Sequence, residues 1–179
     1  VKTNINWDRL REKVRKILKT KNSLKPLGYS IYLLTKNNLE LRKKAFRIVE
    51  EAEMKAAENV VFDKRLYETL VKIRGKNVKI GLVTFQSMKT ALLILEKLHL
   101  TSFFEAVVTR DISFNREEQL KIVMNKLGVK PAETVFVGDS IWDYEAGLKI
   151  GCLTVIINES LNNLSCDKIR NFYEIIKYF

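Results

Sequence analysis

The segment VFVGDSIWDYEAGLKIG, residues 135–151, sets Asp139 and Asp143 four residues apart at the end of an apolar run, in a chain with only six aspartates. Read as a strand that passes through Gly138 into a helix, this spacing brings both carboxylates to one point. Two like charges about 4 Å apart repel by roughly 4 kcal/mol at a surface-like effective dielectric. A cation between them removes that repulsion. Few oxygen ligands suit Mg²⁺, which keeps several waters and is commonly shared with a phosphate. The alternative is local: Asp139 caps the helix and Asp143 favours its positive end.

Two other places offer complementary chemistry. An apolar run ends at Thr84, followed by Phe85, Gln86 and Ser87. A hydroxyl and backbone N–H groups at a helix start suit an anion, although Ser and Thr also serve as plain caps. In TRDISFNREEQLKI (109–122), Arg116 stands just ahead of a helix. A guanidinium there can reach a phosphate, or can simply be solvated. His99 reads as a surface or packing residue, and Trp7 and Trp142 as packing residues.

The elements that must position these groups fall into two halves. Residues 7–19 and 38–60 read as helices, the second with Leu39, Leu41, Ala45, Phe46, Val49, Ala52, Ala56 and Val60 on one face and Asn37 or Asn38 as its cap. KPLGYS at 25–30 reads as the turn between them. From residue 64 the pattern changes. A helix ending at Gly75 precedes strand 78–84, helix 89–100, strand 105–109, helix 117–128, strand 134–138, helix 144–151 and strand 153–158. Short, continuously apolar strands alternating with helices indicate a parallel sheet covered on both faces, with ligands at the carboxyl ends of the strands.

Composition bounds the rest. The 179 residues are 46% hydrophobic, enough for one good core or a core with a small attached domain. No apolar run is long enough to span a membrane and no signal-like segment opens the chain, so a soluble, cytoplasmic protein is expected. Cys152 and Cys166 match no disulfide or metal framework and read as reduced thiols. Net charge is +11, and residues 1–25 hold nine lysines and arginines against two acids. Such an end could meet nucleic acid, but without interleaved aromatics a solvated helix face is the expectation.

Taken together, IGLVTFQS, VVTRD…NREEQL and VFVGDSIWDYEAGLKIG resemble the haloacid dehalogenase (HAD) superfamily, close to its phosphoglycolate-phosphatase-like members. The resemblance covers about residues 60–158 and implies an α/β fold: a Rossmann-like parallel sheet core (64–179) with an α-helical cap (1–63). It implies Mg²⁺-dependent hydrolysis of small phosphate monoesters through an aspartyl-phosphate. By resemblance Thr84 binds the phosphoryl group, with Phe85 and Gln86 beside it, and Asp139 and Asp143 hold Mg²⁺. The family's third motif usually offers a lysine; here Arg116 is the candidate for that catalytic and phosphate-binding role, with Lys121 second. The family's first motif, Asp-x-Asp, is absent, since no two of Asp8, Asp63, Asp111, Asp139, Asp143 and Asp167 lie two apart. The chain is then expected to begin just after that motif and to be inactive without it. Two other readings stay open: a non-catalytic HAD-like domain that binds a ligand or protein, and a basic nucleic-acid-binding protein.

Overall fold

The computed structural model describes residues 4–158, 160–161 and 163–179; Lys2, part of the basic end, lies outside the described residues. In chain order the helices are α1 (Trp7–Leu18), α2 (Leu27–Leu34), α3 (Leu39–Ala57), α4 (Lys64–Arg74), α5 (Met88–Lys97), α6 (Arg116–Leu127) and α7 (Ile141–Ile150). The strands are β1 (Gly81–Val83), β2 (Ala106–Val108), β3 (Val135–Gly138), β4 (Leu153–Ile156) and β5 (Asp167–Lys168). Two compact units result: Val1–Phe62 with Thr84–Leu98 and Thr109–Phe114, and Asp63–Val83 with His99–Val108 and Asn115–Phe179.

The first unit is helical. Asn6 and Asn38 cap α1 and α3, their side-chain oxygens accepting from Arg9 N at 3.0 Å and Leu41 N at 2.9 Å. Leu10 and Val14 of α1 pack with Leu24, Ile31, Ala45 and Val49 in one buried cluster. Each leucine, isoleucine or valine among them contributes about 1.5–3 kcal/mol on burial. Arg9, Lys13 and Lys16 lie on the exposed face of α1. The expected turn at 25–30 is instead the start of α2, with Pro26 as its N-cap residue. Proline is tolerated there because the N–H that it lacks has no intrahelical partner at a helix start. The chain reverses earlier, where Lys19 and Leu24 take positive φ. On α3, Leu39 is 59% exposed rather than core, whereas Glu53 is 3% exposed.

The second unit holds all five strands. β1 pairs in parallel with β2, from Gly81↔Ala106 to Val83↔Val108. β3 pairs in parallel with β4, from Val135↔Leu153 to Gly138↔Ile156, and β4 with β5. Among the described residues no pairing joins β1 to β3, so the strands form two separate sheets of two and three. One core nevertheless serves both: Val108, Leu120, Val123, Met124, Phe136 and Ala146 are buried together, with Val83 against them. Helix α6 packs on β1, β2 and α7, and α7 packs on β3 and β4. Gly147 permits that second packing, since a Cβ there would lie 2.1 Å from Thr154 Oγ1.

Candidate active site

At the carboxyl end of β3 the chain turns sharply into α7. Ser140, not Asp139, is the N-cap: its Oγ accepts from Asp143 N at 3.2 Å. Ser140 Oγ also donates to Asp143 Oδ2 at 2.6 Å, and the Asp139 N–H reaches the same oxygen at 3.2 Å. Asp143 is folded back so tightly that a Cβ on residue 138 would sit 2.2 Å from Asp143 Cβ, so only glycine fits. The other carboxylate oxygen, Oδ1, meets Arg116 Nε at 2.8 Å in an ion pair whose side chains are only 14% and 7% exposed. Arg116 Nη1 donates in turn to Gln119 Oε1 at 2.7 Å.

The electrostatics follow from this crowding. Asp139 is exposed as a residue, but its carboxyl lies against Asp143. Partial burial first, and the Asp143 charge second, hold it above the ordinary carboxylate range, against the pull of Arg116. Burial draws the Arg116 guanidinium down, opposed by Asp143 and then Asp139. Asp139, Asp143 and Arg116 are therefore gathered at one strand end. Lys121 is exposed on α6. Asn158, just beyond β4, donates its side-chain N–H to Asp139 O at 3.0 Å and fixes the turn from the other side.

The fit to a divalent cation rests on the donor set. Among the described residues no group of three or more histidines, cysteines and carboxylates gathers. Two carboxylates do gather, and Asp139 is held up by burial first and by the Asp143 charge second, a repulsion that a cation relieves. Mg²⁺ is commonly held by one or two carboxylates with waters and phosphate. The pair fits as part of such a set.

Thr84, Phe85 and Gln86 belong to the first unit, in the loop that opens α5. Thr84 Oγ1 accepts from Gln86 N at 3.1 Å, and Ser87 caps α5 through Thr90 N at 3.2 Å. Asp111 Oδ2 accepts from Met88 N at 2.6 Å. Beneath this loop lies a pair that sequence reasoning missed, Glu53 and Arg110. The signal was faint: Glu53 falls in register with Ala45, Val49 and Ala57 on the buried stripe of α3. An open trough of about 790 Å³ runs along α3, lined by Lys43, Phe46, Arg47, Glu50, Met54 and Lys89 among others. It includes none of the strand-end residues. Trp7 and Trp142 are 39% and 48% exposed, contrary to the packing roles expected for them.

Comparison with known proteins places this geometry. The chain is similar to a pyrophosphatase PpaX of Halalkalibacterium halodurans, 31% identical over 110 residues that make up 60% of this chain and 50% of that protein. It is 30% identical over 110 residues to a phosphoglycolate phosphatase of Salmonella typhimurium, covering 60% of this chain and 44% of that one. The chain thus spans about half the length of these curated relatives. A solved HAD phosphatase from Thermococcus onnurineus shares the fold, with a TM-score of 0.65 at 23% identity over 96% of this chain and 86% of that chain. No described helix is long and apolar enough to cross a membrane. The model of the haloacid dehalogenase-like hydrolase family matches residues 6–157, and the chain belongs to that family.

Proposed function

We propose that this chain carries the phosphate- and metal-binding framework of a Mg²⁺-dependent phosphatase of small phosphate monoesters, phosphoglycolate-phosphatase-like in its substrates. The observation that carries the reading is the cluster of Asp139, Asp143 and Arg116 at the carboxyl end of β3. Parallel sheets bind ligands at that edge. Residues 1–63 would act as the cap and residues 64–179 as the catalytic core.

Each side chain then has a distinct task. Arg116 and Ser140 hold the two oxygens of Asp143, so that this carboxylate keeps one orientation. Asp139 sets its partly buried carboxyl against Asp143. Asp139 and Asp143 would hold the metal, which when bound neutralises charge on phosphate oxygens. The Thr84 hydroxyl would donate to a phosphoryl oxygen, with Phe85 and Gln86 shaping the loop. A carboxylate nucleophile would attack phosphorus while a second carboxyl protonates the departing ester oxygen. Water then cleaves the acyl phosphate and releases inorganic phosphate. No Asp-x-Asp pair exists in this sequence to supply those two carboxyls. The chain by itself is therefore inactive.

That absence also favours a second reading, a non-catalytic domain that binds a phosphorylated ligand. The name of the PpaX relative makes pyrophosphate a further substrate to assay. Metal binding tests the shared premise. Titration with Mg²⁺ or Mn²⁺, followed by calorimetry, should show a site that Asp139→Asn abolishes or strongly weakens. Equal binding by parent and variant overturns the assignment.

A further inference from the structure

We infer that the buried Glu53–Arg110 ion pair is a positioning pair that sets the backbone of the loop Thr84–Ser87. The inference rests on the reading of that loop as the phosphate-binding segment. Arg110 and Glu53 are 2% and 3% exposed. Arg110 Nη1 donates to both carboxylate oxygens of Glu53, at 2.7 and 2.8 Å, and to the carbonyl of Phe85 at 2.8 Å. Its own backbone N–H donates to the carbonyl of Gln86 at 3.3 Å. On the other side of the pair, the Glu53 carboxylate accepts from the backbone N–H of Ser87. The guanidinium also lies 5.1 Å from the ring centroid of Phe46, another residue of α3. The side chains of one ion pair thus grip Phe85 and Ser87, and the backbone of Arg110 holds Gln86 between them.

The consequence reaches Thr84 through peptide geometry. The Phe85 carbonyl and the Gln86 N–H share one planar trans peptide and point in opposite directions. Holding that carbonyl towards Arg110 turns the Gln86 N–H away, and it donates to Thr84 Oγ1 at 3.1 Å. With its oxygen accepting, Thr84 presents its O–H as a donor. The orientation of the proposed phosphate-binding hydroxyl therefore depends on a carboxylate on α3. Stability alone does not account for such a pair. Replacing a buried ion pair with apolar residues of similar volume is often neutral or stabilising. What apolar side chains cannot do is hold the Phe85 carbonyl and the Ser87 amide.

That contrast supplies the test. The double variant Glu53→Leu/Arg110→Met should melt within a few degrees of the parent. It should nevertheless exchange the Gln86 amide at least about tenfold faster, as expected when its anchoring bonds are lost. Its affinity for inorganic phosphate, followed by amide shifts at Thr84 and Gln86, should fall by a similar factor. Parent-like exchange and parent-like phosphate affinity in a stable double variant overturn the inference. Should the double variant not fold, Arg110→Lys decides. A lysine side chain ends one bond short of Nη1, the atom that makes all three contacts, so faster Gln86 exchange at near-parent stability supports positioning, and unchanged exchange overturns it. If the parent shows no phosphate-dependent shift, the phosphatase reading fails. The exchange rates still judge the positioning role on their own.

Discussion

Removal of the Asp143 carboxylate should destabilise the second unit far more than an average surface change. Asp143→Ala leaves Arg116, only 14% exposed, without the anion at 2.8 Å. It also deprives Ser140 Oγ and the Asp139 N–H of their acceptor. Breaking one partner of a buried ion pair costs about 3–5 kcal/mol. One effect opposes this, since Asp139 loses a like-charged neighbour, so the lower part of that range is expected. At a slope of about 2 kcal/mol per M, a loss of about 3 kcal/mol lowers the urea midpoint by about 1.5 M. The control is Arg116→Met/Asp143→Leu, which removes both charges. That double variant should lie well above the sum of the two single losses, with a coupling of about 1–3 kcal/mol. A fall of less than about 0.5 M for Asp143→Ala, or strict additivity in the cycle, would refute the reasoning.

Other consequences are equally direct. The Asp139 carboxyl is raised in the folded state by burial and by Asp143. Its contribution to stability is therefore full below the ordinary carboxylate pKa and is lost as pH rises through its folded pKa. Carbon-detected titration should place its midpoint above that of a free aspartate, and Asp143→Asn should bring it down; an unshifted midpoint in the parent contradicts the geometry. Gly147→Ala gains helix propensity but drives a methyl to 2.1 Å from Thr154 Oγ1, so a net loss of about 1–3 kcal/mol is expected in urea. Adding Thr154→Ala should restore part of that loss. The sides of β1 and β3 that pair with no strand among the described residues should recruit other chains. The chain joined to a preceding apolar segment of about six residues, a usual strand length, should melt higher and aggregate less; identical melts would mean that these strand edges are covered in another way.

The core was legible in the sequence because its strands are short unbroken apolar runs set between periodic helices. The runs at 78–84 and 134–138 became β1 (Gly81–Val83) and β3 (Val135–Gly138), and the parallel pairing follows from the helices between them. α2 was hidden by Pro26 and Gly28, which read as a turn yet are harmless in the first turn of a helix. β5 was invisible because Asp167 and Lys168 carry no apolar pattern; they are strand only through pairing with Val155 and Ile156. At the site, the Asp139–Asp143 spacing and Gly138 were readable from local geometry alone. The pairing of Arg116 with Asp143 was not, because it depends on how α6 packs on α7. Glu53 and Arg110 lie 57 residues apart, and no local rule joins a carboxylate on a helix stripe to an arginine after a strand.

Turnover of a generic aryl phosphate in the presence of Mg²⁺ tests the central claim most directly. The comparison is between the chain alone and the chain preceded by an apolar strand that ends in Asp-x-Asp. The extended chain should hydrolyse the ester, and chelation of the metal should abolish that activity. The chain alone should be slower by about four orders of magnitude or more, the usual consequence of losing a covalent nucleophile. Comparable turnover by both would place the catalytic groups elsewhere in the chain, and no turnover by the extended chain would contradict the phosphatase assignment itself.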